Sequence, residues 1–530
     1  MTSHEESTGP PAYDSDKAAL ERAGKKEVLK REWGFFAMLM FGSATLSTWE
    51  ATSAVFVSAY TNGGPASVVY GFIVAVIGTL AIGASFAEMA SISPIAGAQY
   101  HWTAEHSPPK LRAVLSWAQG WITVLAWQGA ITSVCFLCAS MTQGLIIFND
   151  PTYVPERWHT TLLMIALGGL AVMGCTVGKA LLPLWESLAG SLHVILFFII
   201  TVAILITSDK ADNRAVWATF VNAGGWPSDG ISFCLGFLTP AFALAGIDAI
   251  VHMAEETKHA AINIPRAIIG SIIINGVCGF AFIVAILYSI VDVEAVLTNG
   301  IATGYPIIEV FHQATRNSSA AVAMMCGPIL IFSMAVFGST ASAGRLTWAF
   351  ARDRGLPMSR FLSVVTNWNK APTRALLFNY IVLCLLSLIN IGSTVALNAM
   401  VSLATVALYA SYGLPILLFA LRRHSKTRSI CFGPWRMPEY LGIISNWVAI
   451  VFCAFLVIFL PFPPMLPVTA LNMNWASVVF VAVMGFAIVS WFVRGKGRFV
   501  GPIIEVGIRD GSDGEVDDGE HEHGSVTKYD

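Results

Sequence analysis

The chain has 530 residues, of which 12% are charged and 55% hydrophobic, and its net charge is −2. A soluble chain carries about a quarter charged residues, so water-soluble cores do not account for this much apolar surface. The near-neutral charge gives no reason to expect nucleic acid as a partner.

Residues 1–30 are polar and charged, so a disordered tail is expected there and a cleavable signal peptide is not. Apolar runs follow near 33–57, 67–91, 113–141, 160–178, 184–207, 230–254, 266–291, 320–349, 373–390, 395–421, 440–460 and 474–493. Each approaches the roughly 20 residues that a hydrocarbon core requires of a helix. Between bilayer walls each run must satisfy its own backbone, so helices are the default. Residues 496–530 form a second tail, acidic and expected to be disordered. Its string DDGEHEHG has the look of a metal tract but reads better as a solvated acidic tail, and no metal or cofactor is expected. Cys135 and Cys138 form a CxxC inside an apolar run, where a redox role is not expected.

The lysines and arginines orient these runs. With a cytoplasmic amino terminus, both tails and the loops near 92–112, 179–183, 255–266, 350–374 and 422–439 lie inside and, with Arg345 assigned to the inner end of its helix, account for about 27 of the 31 basic residues. Only Arg157, Lys210, Arg214 and Arg316 remain outside. Cytoplasmic loops carry the excess of Lys and Arg, and shifting the helix count by one destroys the asymmetry. Twelve transmembrane helices with both termini cytoplasmic are therefore predicted. Trp33, Tyr100, Trp102, Trp226, Trp475 and Trp491 mark segment ends, where amphipathic rings anchor. Asn317, in an Asn-Ser-Ser sequon, is close enough to the next helix to go unglycosylated.

Transporters commonly expose polar backbone at mid-membrane through broken helices in matching halves. The first run contains Gly42, Ser43, Ala44 and Thr45, then Trp49 and Glu50; the sixth contains Gly236, Thr239-Pro240 and Gly246-Ile247-Asp248. Five helices separate the two, as a five-plus-five inverted repeat requires. Small residues also let helices pack closely; paired positions with adjacent polar groups favour a binding site. Half-helix amino termini suit a carboxylate.

Charged groups at depth cost about 2.5–3.5 kcal/mol on insertion scales and need a partner or a purpose. Glu50 and Asp248 sit just beyond the proposed breaks, where each can hold an organic cation, a proton or sodium, or simply pair within the bundle. Glu186 and His193 share a helical face, so proton coupling and a structural hydrogen bond are both open. Ser339 and Ser342 can ligate an ion or bond back to their own helix. At the inner helix ends Glu88, Glu255 and Glu256 face Arg345, Arg352 and Arg354, as an ion-paired gate or as solvated loop charge.

Three stretches carry a resemblance. FAEMASISPIAGAQYHW (86–102), FALAGIDAIVHMAEETKHAAINIPRAI (242–268) and RLTWAFARDRGLP (345–357) resemble motifs of the amino acid–polyamine–organocation (APC) superfamily. STWEATSAVF with TNGGPASVVYGF resembles the fungal amino-acid/choline transporter branch, which includes choline and γ-aminobutyrate permeases. The likeness spans about residues 30–495. It implies an all-α polytopic membrane protein with a five-plus-five inverted repeat, at 33–207 and 230–421, plus two additional helices at 440–493. It implies a substrate site at Gly42 to Thr45 and at Phe242, Ala245, Gly246, Ile247 and Asp248, with coupling through H+ or Na+. The first break reads GSAT, poorer in glycine than the GxG common in amino acid carriers. That leaves room for a cation without a carboxylate, against which Trp49 or Phe242 can make a cation–π contact.

A permease moving an amino acid, γ-aminobutyrate, choline or a related amine is thus expected, in the plasma membrane, a vacuole or another endomembrane. A nutrient receptor on the same scaffold is the alternative, which longer tails would favour. No HExxH, GxSxG, Walker loop or dinucleotide fingerprint suggests an enzyme, and no segment pair offers a channel filter.

Overall fold

A computed structural model describes residues 16–505 except 151, 426–428 and 471, and their side chains except those of 56–59, 301 and 394–401. The short α1 (Asp16–Arg22) precedes the membrane part. The first span is broken into α2 (Phe35–Leu46) and α3 (Thr48–Thr61). Then come α4 (Gly64–Ile92), the short α5 (Gln99–His106), α6 (Arg112–Asn149), α7 (Arg157–Thr176), α8 (Leu182–Thr207) and the connecting α9 (Asn213–Trp217). The sixth span is broken into α10 (Asp229–Gly236), α11 (Leu238–Ala243) and α12 (Ala249–His252). After α13 (Ala260–Ser289), an outer connection forms α14 (Val293–Thr303) and α15 (Pro306–Thr315). The chain ends with α16 (Ser318–Arg352), α17 (Ser359–Leu362), α18 (Thr373–Gly392), α19 (Thr394–Arg423), α20 (Glu439–Phe459) and α21 (Ala476–Ser490).

Among the described residues, ten helices are long and apolar enough to cross a membrane. The two broken segments supply the rest of the twelve. Corresponding helices of the two halves pack against each other: α4 on α13, α6 on α16, α7 on α18. That pairing is what an inverted repeat produces, with α20 and α21 added outside it.

In lipid the outward face of a helix can be as apolar as its core, so the informative stripe is the polar one. On α8, Glu186, Ala189, Gly190, His193, Phe197 and Ile200 are buried at helical spacing, whereas Leu188, Ile195, Phe198, Ile199 and Val202 are exposed. Polar groups therefore enter the bundle only on the side that can satisfy or use them. Gly190 lets α2 come close, since a Cβ there would stand 2.3 Å from the Met40 carbonyl oxygen.

The tails depart from expectation. Residues 16–32 and 496–505 are ordered and lie against the inner ends of the helices, whereas residues 1–15 and 506–530, including the DDGEHEHG string, lie outside the described residues. Asp16 accepts the amides of His259 (2.7 Å) and Ala260 (2.9 Å), capping α13. Lys25 is fully buried in an ion pair with Asp353 and donates to the Ile503 carbonyl at 2.9 Å. Burial pulls the Lys25 pKa below its ordinary value, while the Asp353 charge acts to raise it. Tyr100 and the Ile503 amide also donate to Asp353, at 2.7 and 2.9 Å. These partners come from distant parts of the chain, which is why local composition reads as disorder.

Candidate substrate site and inner gate

Both spans unwind as matched breaks, and each break has a side chain from another helix holding it. Between α2 and α3 Ser47 takes the left-handed conformation (φ 43°, ψ 46°). The break therefore falls two residues after Thr45, and Gly42 to Thr45 are helical. Asn275 of α13 spans the gap: its side-chain oxygen accepts the Thr48 amide at 3.1 Å and its nitrogen donates to the Ser43 carbonyl at 3.2 Å. Between α11 and α12, Gly246 adopts φ +99°, a conformation that only glycine takes readily. Tyr412 of α19 holds this break, accepting the Gly246 amide at 3.2 Å and donating to Asp248 at 2.6 Å. The Thr48 hydroxyl donates to the Ala243 carbonyl at 2.9 Å and ties the two breaks together.

A cavity of about 70 Å³ lies where the breaks meet. Thr45 and Ala51 line it from the first span, Phe242, Ala245 and Gly246 from the sixth. Trp127 and Ser133 of α6, Phe332 and Ser339 of α16 and Thr405 of α19 complete its wall. Its described lining is aromatic, aliphatic (Leu46, Val134, Leu137, Leu408), small or hydroxylic, and carries no Asp, Glu, Lys, Arg or His. The Thr45 hydroxyl oxygen is buried without a hydrogen-bond partner.

Thr45, Phe242, Ala245, Gly246 and Ser339 thus meet at one cavity, while the other residues singled out from sequence lie elsewhere. A Cβ on Gly42 would press on Ile250, so that glycine serves close packing. Ser43 bonds back to the Leu39 carbonyl (2.9 Å), and Ala44 packs with Ala189 and Met334. Trp49 donates to the His193 carbonyl at 3.2 Å and packs on Phe282, away from the cavity lining. Ile247 is buried in the core. Asp248 is buried among protein donors: Gln99 (2.6 Å), Trp127 (2.9 Å), Tyr412 and, at 3.3 Å, His252. Trp127 and Phe332 escaped sequence reasoning because an aromatic in an apolar helix looks like core. The spacing of Trp127, Ala130, Ser133 and Val134, one face of α6 with small and hydroxylic members, is the signal that could have found them.

Two acidic groups lie deeper. Glu50 shares a 2.8 Å hydrogen bond with His193 Nδ1, both side chains fully buried. Glu186 is buried against Phe41 and Gly338 of the α2–α16 interface, with no hydrogen-bond partner for either carboxyl oxygen among the described residues. Ser342 donates to the Ala249 carbonyl at 2.9 Å and so joins α16 to α12.

The carboxyl-terminal end of the sixth span carries several ion pairs. Glu256 meets Arg345 at 2.8 Å and Lys179 at 3.1 Å. Glu255 binds Arg352 through two bonds of 3.0 and 2.9 Å. Arg31 of the amino-terminal segment donates to the Ala254 (3.3 Å) and Thr257 (2.7 Å) carbonyls. Glu88 stands apart and pairs with Arg423 at 2.7 Å, linking α4 to α19.

Comparison with known proteins agrees with this architecture. The family profile described as amino acid permease matches residues 33–484. A choline transporter of Saccharomyces cerevisiae is 31% identical over 92% of this chain and 86% of its own length. Amino-acid permease BAT1 of Arabidopsis thaliana is 28% identical, covering 94% and 98%. Amino-acid permease 2 of Neurospora crassa is 27% identical, covering 92% and 90%. With twelve spans, two matched breaks and a cavity between them, the chain belongs to the amino acid permease family of the APC superfamily.

Proposed function

We propose that the protein is a secondary transporter that moves a small amine cation, choline or a close analogue, by alternating access coupled to protons. The observation that carries this reading is the cavity lining: Trp127, Phe242 and Phe332 with hydroxyls, and no charged side chain. Ring quadrupoles attract organic cations, most strongly when the site is dry. The amides of Thr48 and Gly246, which a substrate carboxylate would otherwise seek, already meet Asn275 and Tyr412. This favours a solute without a carboxylate over a zwitterion. The printed name of the yeast relative points the same way.

Alternating access follows from where the closures sit. The Glu256–Arg345 and Glu255–Arg352 pairs join the sixth span to α16, and their separation opens the inner side. Coupling rests on the Glu50–His193 pair and on Glu186, ionisable groups beside the first break and along α8. Protonation changes their charge without any covalent step, and a conformational equilibrium responds to such a charge. The charge asymmetry supports cytoplasmic termini, and the plasma membrane is the membrane proposed.

An uptake panel in transport-deficient cells tests the reading, with labelled choline, γ-aminobutyrate, putrescine and common amino acids, each repeated with a proton uncoupler and without sodium. Choline accumulation abolished by the uncoupler and indifferent to sodium is the expected result. Accumulation of a zwitterion but not of choline rules out the cation reading. Binding without accumulation makes the protein a receptor.

A further inference from the structure

We propose that Asp248 is a positioning residue for solute selectivity, acting through Trp127: it orients the indole and enriches its ring in electron density, without touching the solute. The proposal rests on the reading that the cavity takes an amine cation.

Three observations carry it. Asp248 is fully buried and absent from the cavity lining, although Gly246, two residues before it, lines the cavity. Its carboxylate takes hydrogen bonds from Gln99 of α5, Trp127 of α6 and Tyr412 of α19 and lies 3.3 Å from His252 of α12. Of these donors only Trp127 also lines the cavity.

The indole has a single N–H, and Asp248 takes it at 2.9 Å. Of Trp127 the cavity meets only carbon surface, which offers a solute no hydrogen bond and only π attraction. A carboxylate on the indole N–H polarises the ring toward its carbon surface, so that surface becomes more negative. Charge-assisted bonds are the stronger kind and fix orientation. The edge of His252 packs against the same ring, with centroids 5.7 Å apart at 85°, and limits its rotation. Asp248 therefore reaches the solute through the ring. The site holds a negative environment behind an apolar wall, where a bare carboxylate in the cavity would bind small hydrated cations as readily as organic ones.

The test uses the full chain in transport-deficient cells, with labelled choline and its uncharged isostere 3,3-dimethyl-1-butanol as competitor. Asp248→Asn keeps the shape and removes the charge; Trp127→Phe keeps a ring and removes the N–H. Each variant is expected to raise the choline KM about tenfold with kcat within about twofold, the size of one desolvated cation–π contact. Asp248→Asn is also expected to narrow the preference for choline over the isostere, which loss of fold alone does not do. The double variant should be no worse than either single one, since both cut one link. Multiplying effects, or an unchanged KM in Asp248→Asn, overturn the proposal. If Asp248→Asn fails to reach the membrane, Trp127→Phe reads the same bond from the other end, and its unchanged selectivity against the isostere overturns the proposal equally. The underlying cation reading fails separately: Trp127→Ala and Phe242→Ala would then both leave choline uptake untouched.

Discussion

Glu50, His193 and Glu186 show how the environment of single residues separates candidates that look alike in sequence. Glu50 and His193 satisfy each other on one side, while Glu50 Oε2 and His193 Nε2 have no hydrogen-bond partner among the described residues. We expect His193→Gln to flatten the pH dependence of initial choline uptake while leaving surface abundance near that of the unsubstituted chain. Glu186→Gln replaces a carboxyl that has no partner with a neutral amide. Its melting temperature in detergent should equal or exceed that of the unsubstituted protein, with uptake no longer driven by a proton gradient. If both variants keep the original pH profile, the coupling groups lie elsewhere. At this scale the sequence was informative about kinds of residue and less so about which face they take. Gly246 was legible because a break needs a residue free to take positive φ, whereas Thr45 was placed at a break but is helical. Ser47 was not legible, since no rule marks a serine as the residue that turns left-handed. Asp248 was legible as a buried charge, but its donors come from positions as distant as Gln99 and Tyr412, which no local pattern connects.

At the scale of elements, two glycines make a controlled comparison. A Cβ on Gly190 would meet Met40 backbone atoms at 2.3 and 2.6 Å, and backbone cannot give way. A Cβ on Gly42 would meet the Ile250 Cδ1 at 2.3 Å, the far end of a flexible side chain. Gly190→Ala should therefore separate α2 from α8 and cost about 1–3 kcal/mol, as overpacking does. Gly42→Ala should cost less, and thermal unfolding in detergent ranks the two directly. The reverse order would mean that α2 is free to move off α8. Helix existence was legible here, because apolar length in a membrane leaves few alternatives. The ordered tails were not. Residues 16–32 are polar, and only partners far along the chain, Asp353, Ile503 and the α13 amides, give them a fixed place. For the same reason the Glu88–Arg423 pair could not be separated in sequence from the pairs that Glu255 and Glu256 make.

For the whole molecule, the broken first and sixth spans meet at one small cavity, with charge pairs gathered at the carboxyl-terminal end of the sixth span. This arrangement suits a carrier, in which one neutral, aromatic site is offered to each side in turn. Apolar length and paired breaks made the helical, polytopic plan readable in advance, because apolar runs are repeated over hundreds of residues and survive errors at single positions. The chemistry of the cavity wall was less readable, since it is drawn from five separate spans.

The most direct measurement uses purified protein in sealed liposomes, with labelled choline outside and an imposed pH difference, acid outside. Choline is predicted to accumulate above its external concentration while the gradient lasts and to stop accumulating when an uncoupler collapses it. Equal choline levels on both sides regardless of the gradient, or accumulation of an amino acid that choline does not compete with, would contradict a proton-coupled carrier of amine cations.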